Sequence, residues 1–213
     1  MMQRLNKIRI PIKDISLTKQ IVNTILVFLF GIVIGLFAKI LDCTPSNELP
    51  YFLELLDLGN FFSRMAIWLL IAVALSIYSH SPIRAGINVF LFFTGMLISY
   101  YTYTKYMAGF FPKSYIRIWV MLTFLSPFLA FICWYAKGNT KISLILSSII
   151  VGILFDHAFN FGYLYFNISY MLEVIVWLLG IFILYNNPKQ LLQMLALSII
   201  VAIIWSTIYP YSF

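Results

Sequence analysis

The chain has 213 residues, 62% of them hydrophobic and only 10% charged, with a formal net charge of +7. An average soluble domain is about 45–50% apolar and about 25% charged, so a water-soluble fold of this size could not hide so much apolar surface, and the long uncharged runs point to membrane spans. The basic residues flank apolar runs and form no stripe on a soluble face, which argues against a nucleic-acid partner and for positive loops that anchor the cytoplasmic side.

Apolar content extends along the whole chain, without repeats, low-complexity tracts or a linker. That pattern gives a basic N-terminal segment, residues 1–20, and one transmembrane domain, residues 21–213. In the N-terminal segment Arg4, Lys7, Arg9, Lys13 and Lys19 face only Asp14. A solvated tail carrying positive-inside charge is the expected state, and a segment lying on anionic lipid is the alternative. Pro11 interrupts any single helix through it. The apolar run that follows is of full span length and lacks a small-residue cleavage site, so it reads as a retained first helix.

Seven apolar runs follow in order: residues 21–41, 61–78, 86–106, 115–135, 142–159, 166–185 and 191–209. Each is close to the ~20 residues that a hydrocarbon core of ~30 Å requires. In the first, Gly31 and Gly35 lie four apart on one face, where small residues let a second helix approach closely. They are read as packing against another span of the same chain. Residues 42–60 form the one substantial hydrophilic loop, with Asp42, Glu48, Glu54 and Asp57 and no Lys or Arg. Within it residues 50–58 read as a short amphipathic helix with Pro50 at its start. The second span carries Arg64 about one turn inside, the third ends in the tyrosine-rich stretch 99–106, and the fourth contains Pro127, where a kink is expected.

With the N terminus inside, the cytoplasmic ends hold nine basic residues against Asp14, and the outer ends five basic against six acidic. This asymmetry supports an N-in, C-out orientation of an all-α polytopic helix bundle in the plasma membrane, with six spans as the alternative count. Cys43 and Cys133 then fall on opposite sides and form no disulfide.

That orientation also sets depths. At ~1.5 Å rise per residue, Asp156 and His157 near the end of the fifth span, Glu173 early in the sixth, Arg64 early in the second and Arg117 early in the fourth all come to the outer half. Ionisable groups at membrane depth are costly and by default mark a functional site. Arg64, Arg117, Asp156, His157 and Glu173 are therefore the candidate ligand-binding residues, with Tyr100, Tyr101, Tyr103 and Trp119 as aromatic lining. The plainer reading is an ion-pair lattice, with Arg64 pairing with Asp156 or Glu173, and an aromatic belt at the interface.

An enzyme would have to use the same residues, as base and carboxylates or as metal ligands. No HExxH, GxSxG, Walker or Gly-rich phosphate motif is present, so no catalytic residue, metal site or cofactor is assigned. The expected partners are membrane lipid, a membrane-protein partner and a small-molecule ligand. The leading function is a transport-type or small-ligand-binding membrane subunit acting with partner proteins. The alternatives are a non-transporting accessory subunit of a membrane complex and, third, an intramembrane hydrolase or transferase.

Small size, Lys/Ile/Phe-rich composition and the lack of a soluble domain resemble uncharacterised multi-pass membrane proteins of low-GC bacteria. In size and hydrophobicity the chain is also similar to the substrate-binding subunits of energy-coupling-factor importers. That resemblance implies docking on a partner through Ala-x-x-x-Ala in the first span. Here Gly31 and Gly35 occupy the matching place, and no site residue carries over.

Overall fold

The computed structural model describes residues 5, 7–12, 15–107, 109, 112–162 and 165–208. Arg4, Lys13 and Asp14 of the basic segment, and residues 209–213 at the end of the seventh run, lie outside the described residues. Among the described residues the fold is all-α apart from one small hairpin. Its helices are α1 (Leu17–Cys43), α2 (Tyr51–Leu55), α3 (Leu58–Ser63), α4 (Met65–Tyr78), α5 (Pro82–Tyr106), α6 (Lys113–Trp134), α7 (Lys141–Ala158), α8 (Met171–Leu184) and α9 (Pro188–Ile208).

All seven apolar runs are helical, but they differ in length. Among the described residues five helices are long and apolar enough to cross a membrane, namely α1, α5, α6, α7 and α9. The helices of the second and sixth runs, α4 and α8, have 14 residues each, or about 21 Å. Both were expected to start earlier. In the second run Arg64 is extended (φ −86°, ψ 157°) and separates α3 from α4. In the sixth, Phe166–Ile168 is a strand (β2) that pairs antiparallel with Phe159–Phe161 (β1), with Asn160 opposite Asn167. Phe155, Phe159, Phe166 and Trp177 cluster beneath the hairpin, Phe155 and Phe159 at 4.7 Å between centroids. The expected amphipathic stretch at 50–58 is also broken, into α2 and the start of α3 around Asp57, which has a positive φ of 49°.

The bundle is organised around α4, which packs against α5, α6 and α8. Trp68, Leu70, Val73 and Ile77 of α4 are all buried, and each joins one of three apolar clusters. Outside this centre α1 lies on α5 and α9 lies on α7. The α1–α5 seam is a backbone contact. A Cβ on Gly31 would sit 2.2 Å from the Phe92 carbonyl oxygen, one on Gly35 2.5 Å from that of Met96, and one on Gly95 2.5 Å from that of Phe28. The helix α6 runs unbroken through Pro127, against which Gly86 of α5 is packed.

The two ends of the bundle are finished differently. At one end the N-termini of α1, α5, α7 and α9 have side-chain caps: Ser16, Ser81, Thr140 and Asn187 accept from Lys19, Arg84, Ser143 and Gln190 backbone N–H groups. Such caps satisfy N–H groups that the helix leaves without partners. Three helices finish at this end, and cations meet their carbonyls. Arg9 donates to Ile77 O of α4 (2.8 Å) and Trp134 O of α6 (2.7 Å), and Lys137 donates to Ile183 O of α8. Positive charge at helix C-termini also complements the macrodipole. Arg9 is thus no solvated tail residue. Its guanidinium lies 4.2 Å from the Trp134 ring centroid, and Ile12 N–H bonds the His80 carbonyl. At the opposite end, where the hairpin lies, α3, α4, α6 and α8 start without a side-chain cap.

Candidate functional site

The candidate charges gather at the hairpin end but do not form one constellation. Arg64 donates from Nη1 to Glu173 Oε2 at 3.3 Å and places its guanidinium 4.6 Å from the Tyr170 ring centroid. The Tyr170 hydroxyl in turn donates to the Asp57 carbonyl at 2.7 Å. Glu173 is 1% exposed and stands in the first turn of α8, where a carboxylate is favoured by the helix dipole. Its second oxygen, Oε1, has no hydrogen-bond partner among the described residues. His157 lies within electrostatic range of Arg64. Together Arg64, Tyr170 and Glu173 tie the α2–α3 stretch to the start of α8.

Asp156 is at the same end but on the other side of α7. Leu154 points at Gly180 of α8, and Asp156, two residues on, is turned roughly 200° from it. Asp156 instead shares a face with Gly152, which lies against Ser198 and Val201 of α9. It is buried, and its Oδ2 has no hydrogen-bond partner among the described residues. Arg117 is exposed on α6 and donates to Ser114 within its own helix. The structure therefore joins Arg64 with Glu173 and leaves Asp156 and Arg117 apart from them. Ser147 and Ser148, mid-helix in α7, both donate to the Leu144 carbonyl. Among the described residues no group of three or more His, Cys, Asp and Glu could hold a metal.

A larger concave site that carries polar groups lies elsewhere at this end. A recess of about 280 Å³ opens between the ends of α1, α5 and α6, lined by Lys39, Asp42, Ser63, Tyr100, Tyr101 and Tyr115, with Trp68 and Trp119 at its base. Lys39 is buried, ion-paired with Asp42, and lies 4.9 Å from the Tyr100 ring centroid. The Tyr100 hydroxyl donates to the same Asp42 oxygen at 3.3 Å. Of the aromatics read as lining, Tyr100, Tyr101 and Trp119 are in this recess and Tyr103 is not.

Below the recess a second cavity of about 340 Å³ runs between α4, α5, α6 and α7. Trp68 and Trp119 line both, meeting edge to face with centroids 6.4 Å apart. The lower cavity is apolar. Its hydroxyls are already satisfied by their own helices, Ser76 on Ala72 O, Thr123 on Trp119 O and Ser126 on Thr123 O. Sequence reasoning missed Lys39, Asp42, Trp68 and Tyr115. The one local signal was Lys39 and Asp42 three apart at the end of the first run, a spacing that lets opposite charges meet on a helix.

The fold and its helix lengths define an all-α integral membrane protein. The chain matches no family model, and no curated protein or solved structure matches it.

Proposed function

We propose that this protein is a small-ligand-binding membrane subunit of the transport type, acting with partner proteins in the plasma membrane. One observation carries the reading: a recess with three tyrosines and a buried Lys39, ion-paired with a partly exposed Asp42, opens at one end of a helix bundle. A concave site with a few convergent polar groups is the default location for a ligand, and buried charge inside a membrane bundle is costly enough to suggest a use. The chain crosses seven times, N-in and C-out. The short helices α4 and α8 fit this arrangement, since α4 packs against the longer α5 and α6 and both short helices are extended at one end by α3 or the hairpin. Irregular backbone at membrane depth is tolerated where protein covers it. The end capped by Arg9 and Lys137 is then cytoplasmic, as the positive-inside rule requires, and the recess faces outward.

Native mass spectrometry of the detergent-purified protein tests the reading. A non-covalent small-molecule adduct is expected on the wild type and is expected to be lost in Asp42→Asn and Tyr100→Phe. An adduct of unchanged occupancy in both variants would place the ligand outside the recess.

A further inference from the structure

We infer that the ligand is a single-chain amphiphile of zero net charge, its headgroup in the recess and its chain in the cavity below. This rests on the recess being the ligand site. Four observations fix the class. The two cavities are stacked and share Trp68 and Trp119 as common wall, so one molecule can occupy both. The lower cavity, at about 340 Å³, is within the ~300–1,000 Å³ of small-molecule sites, yet its hydroxyls are already bonded within their own helices. Whatever fills it needs no hydrogen-bonding groups, and an apolar cavity of this kind does not hold water.

The third observation is the entrance. The helices α6 and α7 meet through the 135–137 turn and otherwise barely approach one another. Leu129 of α6 and Ile149 of α7 both line the cavity and are both exposed on the lipid-facing side, at 54% and 40%. A hydrocarbon chain can therefore enter sideways from the bilayer. The fourth is charge. Lys39 and Asp42 already neutralise each other, so a headgroup with net charge would bring an uncompensated ion into a partly dehydrated site. Tyrosine hydroxyls and ring faces suit a zwitterionic or uncharged polyhydroxyl headgroup instead, the quaternary ammonium of the first meeting ring faces by cation–π attraction.

The test uses the full chain in nanodiscs with lysophosphatidylcholine that carries a diazirine on its acyl chain. Photolabelling is expected to concentrate on residues 122–133 and 146–153, and to fall at least fivefold in Leu129→Trp. That variant blocks the slot from a lipid-exposed position and so spares the core. Labelling of α1 and α9, at the two edges of the bundle, should not change. An excess of unlabelled lysophosphatidylcholine should compete, and an equal excess of anionic lysophosphatidylglycerol should not. Labelling of α6 and α7 no stronger than that of α1 and α9, or undiminished in Leu129→Trp, overturns the inference, as does equal competition by the anionic lipid. If Asp42→Asn removes a bound small molecule that Leu129→Trp leaves in place, the recess remains a ligand site and only the chain is refuted. If neither variant changes any bound mass, both readings fail.

Discussion

Arg64 and Glu173 are 109 residues apart in sequence, and the ion pair between them joins the start of α4 to the start of α8 with only one carboxylate oxygen engaged. Glu173 is fully buried while the Arg64 side chain is 36% exposed, so the carboxylate depends on the guanidinium more than the reverse. Removing one partner of a fully buried pair costs about 3–5 kcal/mol because the other charge is left uncompensated. The partial exposure of Arg64 discounts that figure, so Arg64→Ala is expected to cost about 2 kcal/mol, read as a lower Tm in detergent. Adding Glu173→Gln to that background removes the stranded charge and should recover at least half of the loss. A double variant no more stable than Arg64→Ala alone would show that the pair is not the cause.

The α1–α5 seam yields a prediction on stability. The Gly31 Cα lies so close to the Phe92 carbonyl that no side chain fits without moving backbone. Overpacking of this kind costs about 1–3 kcal/mol, and here it opposes a whole helix docking. Gly31→Leu is expected to lower Tm strongly and to expose α1 to protease. Val33→Leu, two residues on and 62% exposed toward lipid, should have no measurable effect. Equal Tm values for the two variants would mean that the seam does not hold α1.

Much of this architecture is legible in the sequence because lipid enforces it. Each apolar run must satisfy its own backbone hydrogen bonds, so it becomes a helix, and Gly31 and Gly35 mark a close contact by their spacing. Legibility ends where neighbours decide. Arg64 adopts extended backbone one turn into an apolar run, where its guanidinium reaches Glu173 and Tyr170, both distant in sequence. The strands around Asn160 and Asn167 have three residues each, too short for alternation to register. The rotation of α7, which turns Asp156 toward α9 and Leu154 toward α8, depends on packing that hydropathy does not encode. The recess combines side chains from positions 39 to 119, and no local window contains it.

Arg9 provides a prediction on the end of the bundle where α4 and α6 finish. It bonds the last carbonyls of two helices and covers the Trp134 ring, whose own indole N–H donates to Ser79 O at 2.7 Å. Hydrogen bonds to a charged group contribute about 1.5–3 kcal/mol each in favourable cases, and partial exposure reduces this. Arg9→Ala should lower stability by about 1–3 kcal/mol. Arg9→Lys should restore only part of that, since one ammonium does not reproduce a planar fork serving two carbonyls. Lys7→Ala, a change at an exposed residue of the same segment, should be neutral by thermal unfolding.

The two native cysteines test sidedness without any fusion. Cys43 ends α1 at the hairpin end and is exposed, whereas Cys133 is near the opposite end of α6 and only partly accessible. With that hairpin end outside, a membrane-impermeant maleimide applied to intact cells should label Cys43, and Cys43→Ser should abolish the signal. Cys133 should react only after denaturation, because the bundle covers it as well as the membrane. A reporter fused after Phe213 should then be active only outside the cytoplasm. Labelling of Cys43 that requires permeabilised cells would invert the bundle, turning the recess toward the cytoplasm and the Arg9 cap outward against the positive-inside rule. Outside labelling of Cys43 combined with a cytoplasmic reporter would mean an even number of crossings and would remove either α4 or α8 from the set of spans.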